Sequence, residues 1–219
     1  MIPVLSYKET LAIDKQTIIE NNITNIDLID SAGKAIAEFI IENIYNPFNQ
    51  IFINMAGPGN NGSDAIVTHY YLKYYGLNSR LLIFNKSQYN SLLFKKYEID
   101  LTNVDLYNES YILNNKNWYI DGIFGIGLKR DLSGIYKHII ERLIQCPLIL
   151  SIDIPSGIYC NNGLSASTYI SSLFTLIMGY PKYSHYFNLG LEAAGSMFRL
   201  NIGLNKISVD RNIINQLEP

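Results

Sequence analysis

Near residue 50 the rhythm of polar and apolar positions along the chain changes. Over residues 7–21 the apolar positions Leu11, Ile13, Ile18 and Ile19 recur loosely at helical spacing, and Ser6 with Glu9 three places on forms a capping-box pattern that predicts the helix start. A second helix is predicted from Thr24 or Asn25. It carries Ile26, Ile29, Gly33, Ile36, Ala37, Ile40 and Ile41 on one face until Asn43 and Pro47 end it. Beyond residue 50 short apolar runs alternate with helical stretches. Residues 51–56, 80–84, 118–124, 148–154, 173–178 and 197–202 read as strands, and residues 64–75, 88–97 and 133–145 as helices. The runs LILSIDI and LFTLIM are apolar nearly throughout, the pattern of parallel strands covered on both faces. The predicted fold is α/β: a three-layer α/β/α, Rossmann-like, doubly wound and mostly parallel sheet with two N-terminal helices, in one domain over residues 1–219.

Composition narrows the partners. A chain of 219 residues that is 48% hydrophobic and 16% charged is long enough for one sizeable core. With 17 Lys+Arg against 19 Asp+Glu it lacks the basic excess of a phosphate-tracking surface, which argues against nucleic acid as a partner. Cys146 and Cys160 are too few for a disulfide framework and show no metal-ligand spacing, so a reducing compartment is expected. No apolar run approaches the roughly 20 residues that span a bilayer, and residues 1–6 lack a signal-peptide pattern. The expectation is a cytoplasmic protein with no membrane partner.

Parallel strands bring their carboxyl ends to one edge, where ligands of such sheets bind. The first strand runs into Gly57-Pro58-Gly59-Asn60-Asn61-Gly62-Ser63-Asp64-Ala65. Its glycines and free N–H groups at a helix start suit an anion, while the plainer reading is a tight turn with Asp64 capping the helix. Two asparagines and an aspartate exceed what a turn needs. The third strand delivers Asp121, then Gly125-Ile126-Gly127-Leu128-Lys129-Arg130-Asp131, a glycine-rich loop whose basic pair suits phosphate or a dinucleotide. The fourth ends in Asp153 and Pro155-Ser156-Gly157. A carboxylate flanked by Ile152 and Ile154 is expected to be half-buried and suited to acid/base work, or else to bond the backbone of its own turn. Lys182, alone after the turn Gly179-Tyr180-Pro181, is expected to be solvated.

Asn61, Asp121 and Ser156 converge on that edge as an all-oxygen set with one negative charge. Such a set is poor for Mg²⁺ or Zn²⁺ and suits a weakly held monovalent cation. His69, His138 and His185 show no pairing by spacing and read as surface or helix-packing residues. A Ser-His-Asp triad on Ser156 is disfavoured by its PSG setting, which is not GxSxG.

Together these loops resemble the NAD(P)HX epimerases, the YjeF N-terminal domains. GPGNNGSDA is similar to the family's GPGNNGGDG, DGIFGIGLKRD to its D-a-x-F-G-x-G-L loop, and SIDIPSG to its VDIPSG. Weaker agreements are Asp30-Ser31-Ala32-Gly33 with E-x-A-G, Gly179 to Lys182 with G-x-P-K, and Asn201-Ile202-Gly203 with a terminal D-I-G, so the likeness spans about residues 5–204 in order.

The resemblance implies a repair enzyme that interconverts the R and S hydrates of NADH and NADPH (NADHX and NADPHX), so that a separate NAD(P)H-hydrate dehydratase can restore the cofactor. By the same resemblance Asn60, Asn61, Gly62, Ser63 and Asp64, with Gly125, Ile126, Gly127, Leu128, Lys129, Arg130 and Asp131, bind the hydrated dinucleotide. Asp153 contacts the ligand and is the acid/base, Lys129 assists catalysis or holds phosphate, and Asn61, Asp121 and Ser156 hold K⁺. A homodimer is also implied. Many bacterial relatives carry a fused dehydratase domain, for which 219 residues leave no room, so a standalone epimerase domain or one half of a bifunctional enzyme is expected. Ser63 and Ala65 replace family glycines, and their Cβ atoms are expected to restrict positive φ and weaken ligand binding. A non-catalytic scaffold or nucleotide- or RNA-binding module is the second reading. Survival of Asn61, Asp64, Asp121, Asp153 and Ser156 favours the enzyme, and the first loop lacks the fingerprint of an ordinary NAD-dependent dehydrogenase.

Overall fold

The computed structural model of the chain describes residues 2–207. Helices α1 (Tyr7–Glu20) and α2 (Asn25–Asn43) come first, each opened by a capping box, Ser6 with Glu9 and Thr24 with Asp27. The sheet follows: β1 (Ile51–Ala56), β2 (Asn78–Ile83), β3 (Val104–Leu106), β4 (Trp118–Gly122), β5 (Ile149–Ile152), β6 (Phe174–Met178) and β7 (Ser196–Leu200). Its order is β3-β2-β1-β4-β5-β6-β7, and every neighbouring pair is parallel. Helices α3 (Asn60–Tyr74), α4 (Leu92–Lys96), α5 (Gly134–Leu143) and α6 (Asn188–Ala193) connect the strands.

Alternation along β1 divides the interior in two. Phe52 and Ala56 join a core with α2 and α3, whereas Ile53 and Met55 join a core with Ile139, Ile140 and Leu143 of α5. Sheets of this kind are covered on both faces, which is why their strands read as unbroken apolar runs. Where α2 crosses α3, a Cβ on Gly33 would lie 2.6 Å from Val67 Cγ1, so the bare glycine lets the two helices touch.

Four differences from the sequence reading have local causes. The outermost strand β3 was not predicted, because its three half-buried residues carry no apolar run; Asp105 there instead takes a bidentate bond from Arg80 of β2, at 2.7 and 2.8 Å. The helix expected at 88–97 is a 3-10 turn (Lys86–Asn90) followed by α4. Helix α3 begins at Asn60 with Gly59 as its N-cap, so Asp64 sits in the second turn and is not the cap. On α1 the buried residues are Thr10, Ile13 and Thr17, while Leu11 and Ile19 are 43% and 66% exposed. The apolar positions predicted the helix but not its face.

Candidate active site at the sheet switch point

The chain leaves β1 for β2 on one side and later returns to β4 on the other, so the strand order reverses between β1 and β4. Outside the carboxyl ends of these strands lies a cavity of about 440 Å³. That volume is typical of small-molecule sites, and a switch point is where open α/β sheets bind ligands. The loop after β1 contributes Pro58, Gly59, Asn60, Asn61 and Asp64, and the loop after β4 contributes residues 123–128. Asp153 follows β5, Met178 ends β6 and Lys182 lies beyond it. Tyr7, Thr10, Leu11 and Asp14 of α1, Asn25, Leu28, Ile29 and Ala32 of α2, and Ile202 complete the lining.

Gly57 brings the first two loops together, and Gly62 packs the start of α3 against Gly57. Gly57 N–H donates to the Gly122 carbonyl at 3.0 Å, and a Cβ on Gly57 would fall 1.8 Å from the Ile123 carbonyl oxygen. Gly62 does not line the cavity; a Cβ there would fall 2.0 Å from the Gly57 carbonyl oxygen. By contrast Ser63 and Ala65 lie inside α3 with ordinary negative φ, so the expected penalty for replacing glycine by these residues does not arise from the backbone. Ser63 Oγ turns back to the Gly59 carbonyl at 3.4 Å, and Ala65 is fully buried in the core.

Asp153 is buried more deeply than its sequence suggested, at 7% exposure, and it stands in the left-handed region at φ 64°. Such a conformation is costly outside glycine and persists only when its surroundings enforce it. Here they do. Its N–H donates to the Leu176 carbonyl at 2.8 Å, its carbonyl accepts from His185 Nε2 at 2.7 Å, and Oδ1 accepts from Met178 N–H at 3.0 Å. Oδ1 also accepts from Lys182 Nζ, whose side chain is 1% exposed and donates to the Met178 carbonyl at 3.1 Å. The expectation that Lys182 is solvated is therefore corrected: a buried ammonium must be paired, and the buried carboxylate pairs it. His185, expected at a surface or in helix packing, is instead a buried partner of the same pair. Asp153 Oδ2 makes no hydrogen bond among the described residues.

Two more carboxyls line the cavity without hydrogen-bond partners among the described residues, Asp14 and Asp64. Burial pushes Asp14 up to about 6, with Lys182 opposing and Asp153 adding to the shift. Burial, then the negative charges of Asp153 and Asp14, hold Asp64 well above the usual carboxylate range. Asp14 escaped the sequence reading. Its signal was the spacing Tyr7, Thr10, Leu11, Asp14 on a helix, which puts one polar-edged face toward the cavity.

Asp121 and Ser156 are fully buried and bonded to each other. Asp121 Oδ1 accepts from Ser156 Oγ at 2.6 Å and Ile123 N–H at 3.2 Å; Oδ2 accepts from Ser156 N–H at 2.8 Å and Ser151 Oγ at 2.7 Å. Burial outweighs these bonds and raises the Asp121 carboxyl above its usual range. Asn61 is different: its Nδ2 is buried without a partner, and a Cβ on Gly125 would come within 3.0 Å of its Oδ1. The bare glycine keeps that space open. Amide oxygen and nitrogen exchange places by a half-turn, so Asn61 can offer an oxygen to a cation there. With Asp121 and Ser156 it offers oxygen donors carrying one negative charge, the chemistry a weakly held monovalent cation takes. Among the described residues no group of three or more His, Cys, Asp or Glu side chains gathers to hold a metal ion.

The basic end of the second loop lies outside the cavity lining. Lys129 is exposed with Nζ 4.5 Å from the centre of the Tyr7 ring, and Arg130 is exposed. The Asp131 carboxylate is held by Leu132 N–H at 2.8 Å and Ser167 N–H at 2.6 Å, bonds that pull it below its usual range.

A doubly wound sheet with a switch-point cavity between two glycine-bearing loops defines a Rossmann-like α/β protein with a cavity of small-molecule size. The pattern of the family described as YjeF-related protein N-terminus matches residues 25–184, and the chain belongs to that family. Among its relatives is the NAD(P)H-hydrate epimerase of Oenococcus oeni, 26% identical over 209 residues that cover 91% of this chain and 96% of that protein. The bifunctional NAD(P)H-hydrate repair enzyme Nnr of Thermofilum pendens is 24% identical over 206 residues, 89% of this chain but 39% of that protein. The fold matches the crystal structure of yeast ynu0, YNL200c, with a TM-score of 0.75 at 22% identity, covering 90% of this chain and 87% of that one.

Proposed function

We propose that the protein is an NAD(P)H-hydrate epimerase, interconverting the R and S hydrates of NADH and NADPH. The observation that carries this reading is Asp153, paired with Lys182 in the lining of a switch-point cavity and keeping Oδ2 unbonded. The names of relatives such as that from Oenococcus oeni support it.

The hydrated carbon of the substrate bears a hydroxyl beside the ring nitrogen. A proton delivered to that hydroxyl lets the C–O bond break, its electron pair leaving with water while the nitrogen lone pair forms C=N. Water then adds to the opposite face and surrenders a proton, which restores the atom count and inverts the centre. Asp153 Oδ2 shuttles the proton, Lys182 fixes the orientation of the carboxylate, and the first loop's N–H groups at the start of α3 hold the pyrophosphate. Asn60, Asn61, Asp64 and residues 125–128 contact the ligand. Lys129, Arg130 and Asp131 form the exposed end of that loop, with the two cations toward phosphate. Asn61, Asp121 and Ser156 would hold a potassium ion, whose charge would offset that of the bound diphosphate. The protein is proposed to act in the cytoplasm as a homodimer alongside a separate dehydratase, a coupling supported by the bifunctional repair enzyme among its relatives. No helix among the described residues is long and apolar enough to cross a membrane.

Purified protein mixed with pure R hydrate and followed by chromatography tests this. The wild type should form the S hydrate, and Asp153→Asn should slow it by roughly 10²–10⁴-fold, the usual worth of a positioned acid/base. A folded wild type that binds the hydrate without converting it would sink the epimerase reading in favour of a binding module.

A further inference from the structure

The proposed chemistry gives His185 no task, yet both of its ring nitrogens are bonded and each bond has only one possible direction. The backbone N–H of Lys182 can only donate, and it meets Nδ1 at 2.8 Å; the carbonyl of Asp153 can only accept, and it meets Nε2 at 2.7 Å. The ring is therefore neutral, bare at Nδ1 and protonated at Nε2. At 1% exposure no water competes for either nitrogen.

The two residues it grips are the two members of the buried ion pair. Asp153 is also the residue in left-handed backbone, where only external bonds hold a side chain with a Cβ. One of those bonds is the one from His185. We propose that His185 is a positioning residue: by tying the Asp153 carbonyl to the Lys182 amide it holds Asp153 in its left-handed turn with the carboxylate on Lys182 and toward the cavity. This rests on the reading of Asp153 as the acid/base.

A proton added at Nδ1 would face the Lys182 N–H donor and break the tie. The groups around the ring are Asp153 from the end of β5 and Lys182 from the turn after β6. Cys160, whose carbonyl accepts from Ser184 N–H at 3.0 Å, stays a neutral thiol, pushed by burial to about 12. Burial first, and Lys182 with it, lower the pKa of His185 against the pull of Asp153, so the tie holds at neutral pH.

His185→Phe removes both bonds, whereas His185→Gln keeps one donor and one acceptor. In the full chain, His185→Phe is expected to lower kcat on the order of 10-fold or more with KM within about 3-fold, because the dinucleotide loops are untouched. His185→Gln should recover most of that loss and should lack the part of the acid limb that protonation of His185 gives the wild type. Nitrogen NMR of the wild-type imidazole at neutral pH should report the Nε2–H tautomer. A wild-type kcat in His185→Phe, an Nδ1–H tautomer, or a folded His185→Gln no faster than His185→Phe would each overturn the proposal. If His185→Phe fails to fold, the tautomer and the His185→Gln kcat and pH profile decide. Asp153→Asn separates the two readings: its loss of rate without any loss in His185→Phe overturns the positioning role alone, and its retention of the wild-type rate overturns both.

Discussion

Ser156 meets Asp121 twice, from Oγ to Oδ1 at 2.6 Å and from its backbone N–H to Oδ2 at 2.8 Å, with both residues fully buried. The same Oγ accepts from Phe124 N–H at 2.8 Å, so one hydroxyl joins the turn after β5 to the loop after β4. Ser156→Ala strands a buried backbone donor and removes one of the four bonds on the carboxylate. A loss of about 1–3 kcal/mol in urea unfolding is expected, the cost of an unmade buried hydrogen bond. Asp121→Ala should cost more, about 3–5 kcal/mol, because four donors lose their acceptor at once. A smaller loss in Asp121→Ala than in Ser156→Ala would contradict this ordering.

Asp14 predicts a pH dependence. Its carboxyl stands at about 6 in the folded protein, above the ordinary unfolded value, so between about 4 and 6 the folded state binds more protons. Its contribution is favourable below that window and is lost as pH rises through it. Asp14→Asn, which has no charge to desolvate, should therefore be more stable than the wild type at pH 7 by about 1–3 kcal/mol and equal to it near pH 4. Denaturant unfolding at pH 4, 5 and 7 measures the gap, and a gap that does not widen with pH would place the Asp14 carboxyl in water.

His69 works in the opposite direction. It is 2% exposed, bonds Ser79 Oγ at 2.8 Å, and shares that hydroxyl with Asn54 Nδ2 at 2.9 Å. Burial, with Lys73 and Arg80 nearby, lowers its pKa to about 4. The unfolded chain thus binds the extra proton between about 6.5 and 4, and stability present above 6.5 is lost as pH falls through that range. His69→Gln should flatten the acid side of the wild-type stability curve, by about 3 kcal/mol between pH 7 and 4. An unchanged acid slope would mean that other groups set it.

The architecture was legible because buried parallel strands are apolar on both faces, and LILSIDI or LFTLIM leave little choice. Asn60, Asn61, Asp64 and Asp153 were legible as cavity residues because they sit just beyond such strands, and the topology carries every strand end to one edge. Lys182 and His185 were not, since what recruits them is a single backbone conformation at Asp153, which neither spacing nor composition reports. Asp14 was hidden for another reason. Its helix packs through Thr10, Ile13 and Thr17, and hydropathy marked only Leu11 of the face that borders the cavity, leaving its polar members Thr10 and Asp14 unmarked. Edge strand β3 was missed because it is three residues long, with Asp105 between Val104 and Leu106, too short for an apolar run to mark it.

The glycines of the first loop are predicted to divide sharply. A Cβ on Gly62 would fall 2.0 Å from the Gly57 carbonyl oxygen, and the obstacle is backbone, which cannot swing aside as a side-chain end can. Gly62→Ala must push the start of α3 away from the turn that follows β1. A cost of about 1–3 kcal/mol or more is expected, with weakened binding of the hydrate, because Asn61 and Asp64 move with the helix. Gly59 is the control. It lies in the same loop, a Cβ there meets nothing within 4 Å, and its φ of -107° is open to any residue. Gly59→Ala should lose no more than about 1 kcal/mol, the difference between glycine and alanine at an N-cap. Thermal midpoints and hydrate affinity for the two variants measure the contrast, and a Gly62→Ala protein as stable as Gly59→Ala would show that the start of α3 is not held against the turn after β1.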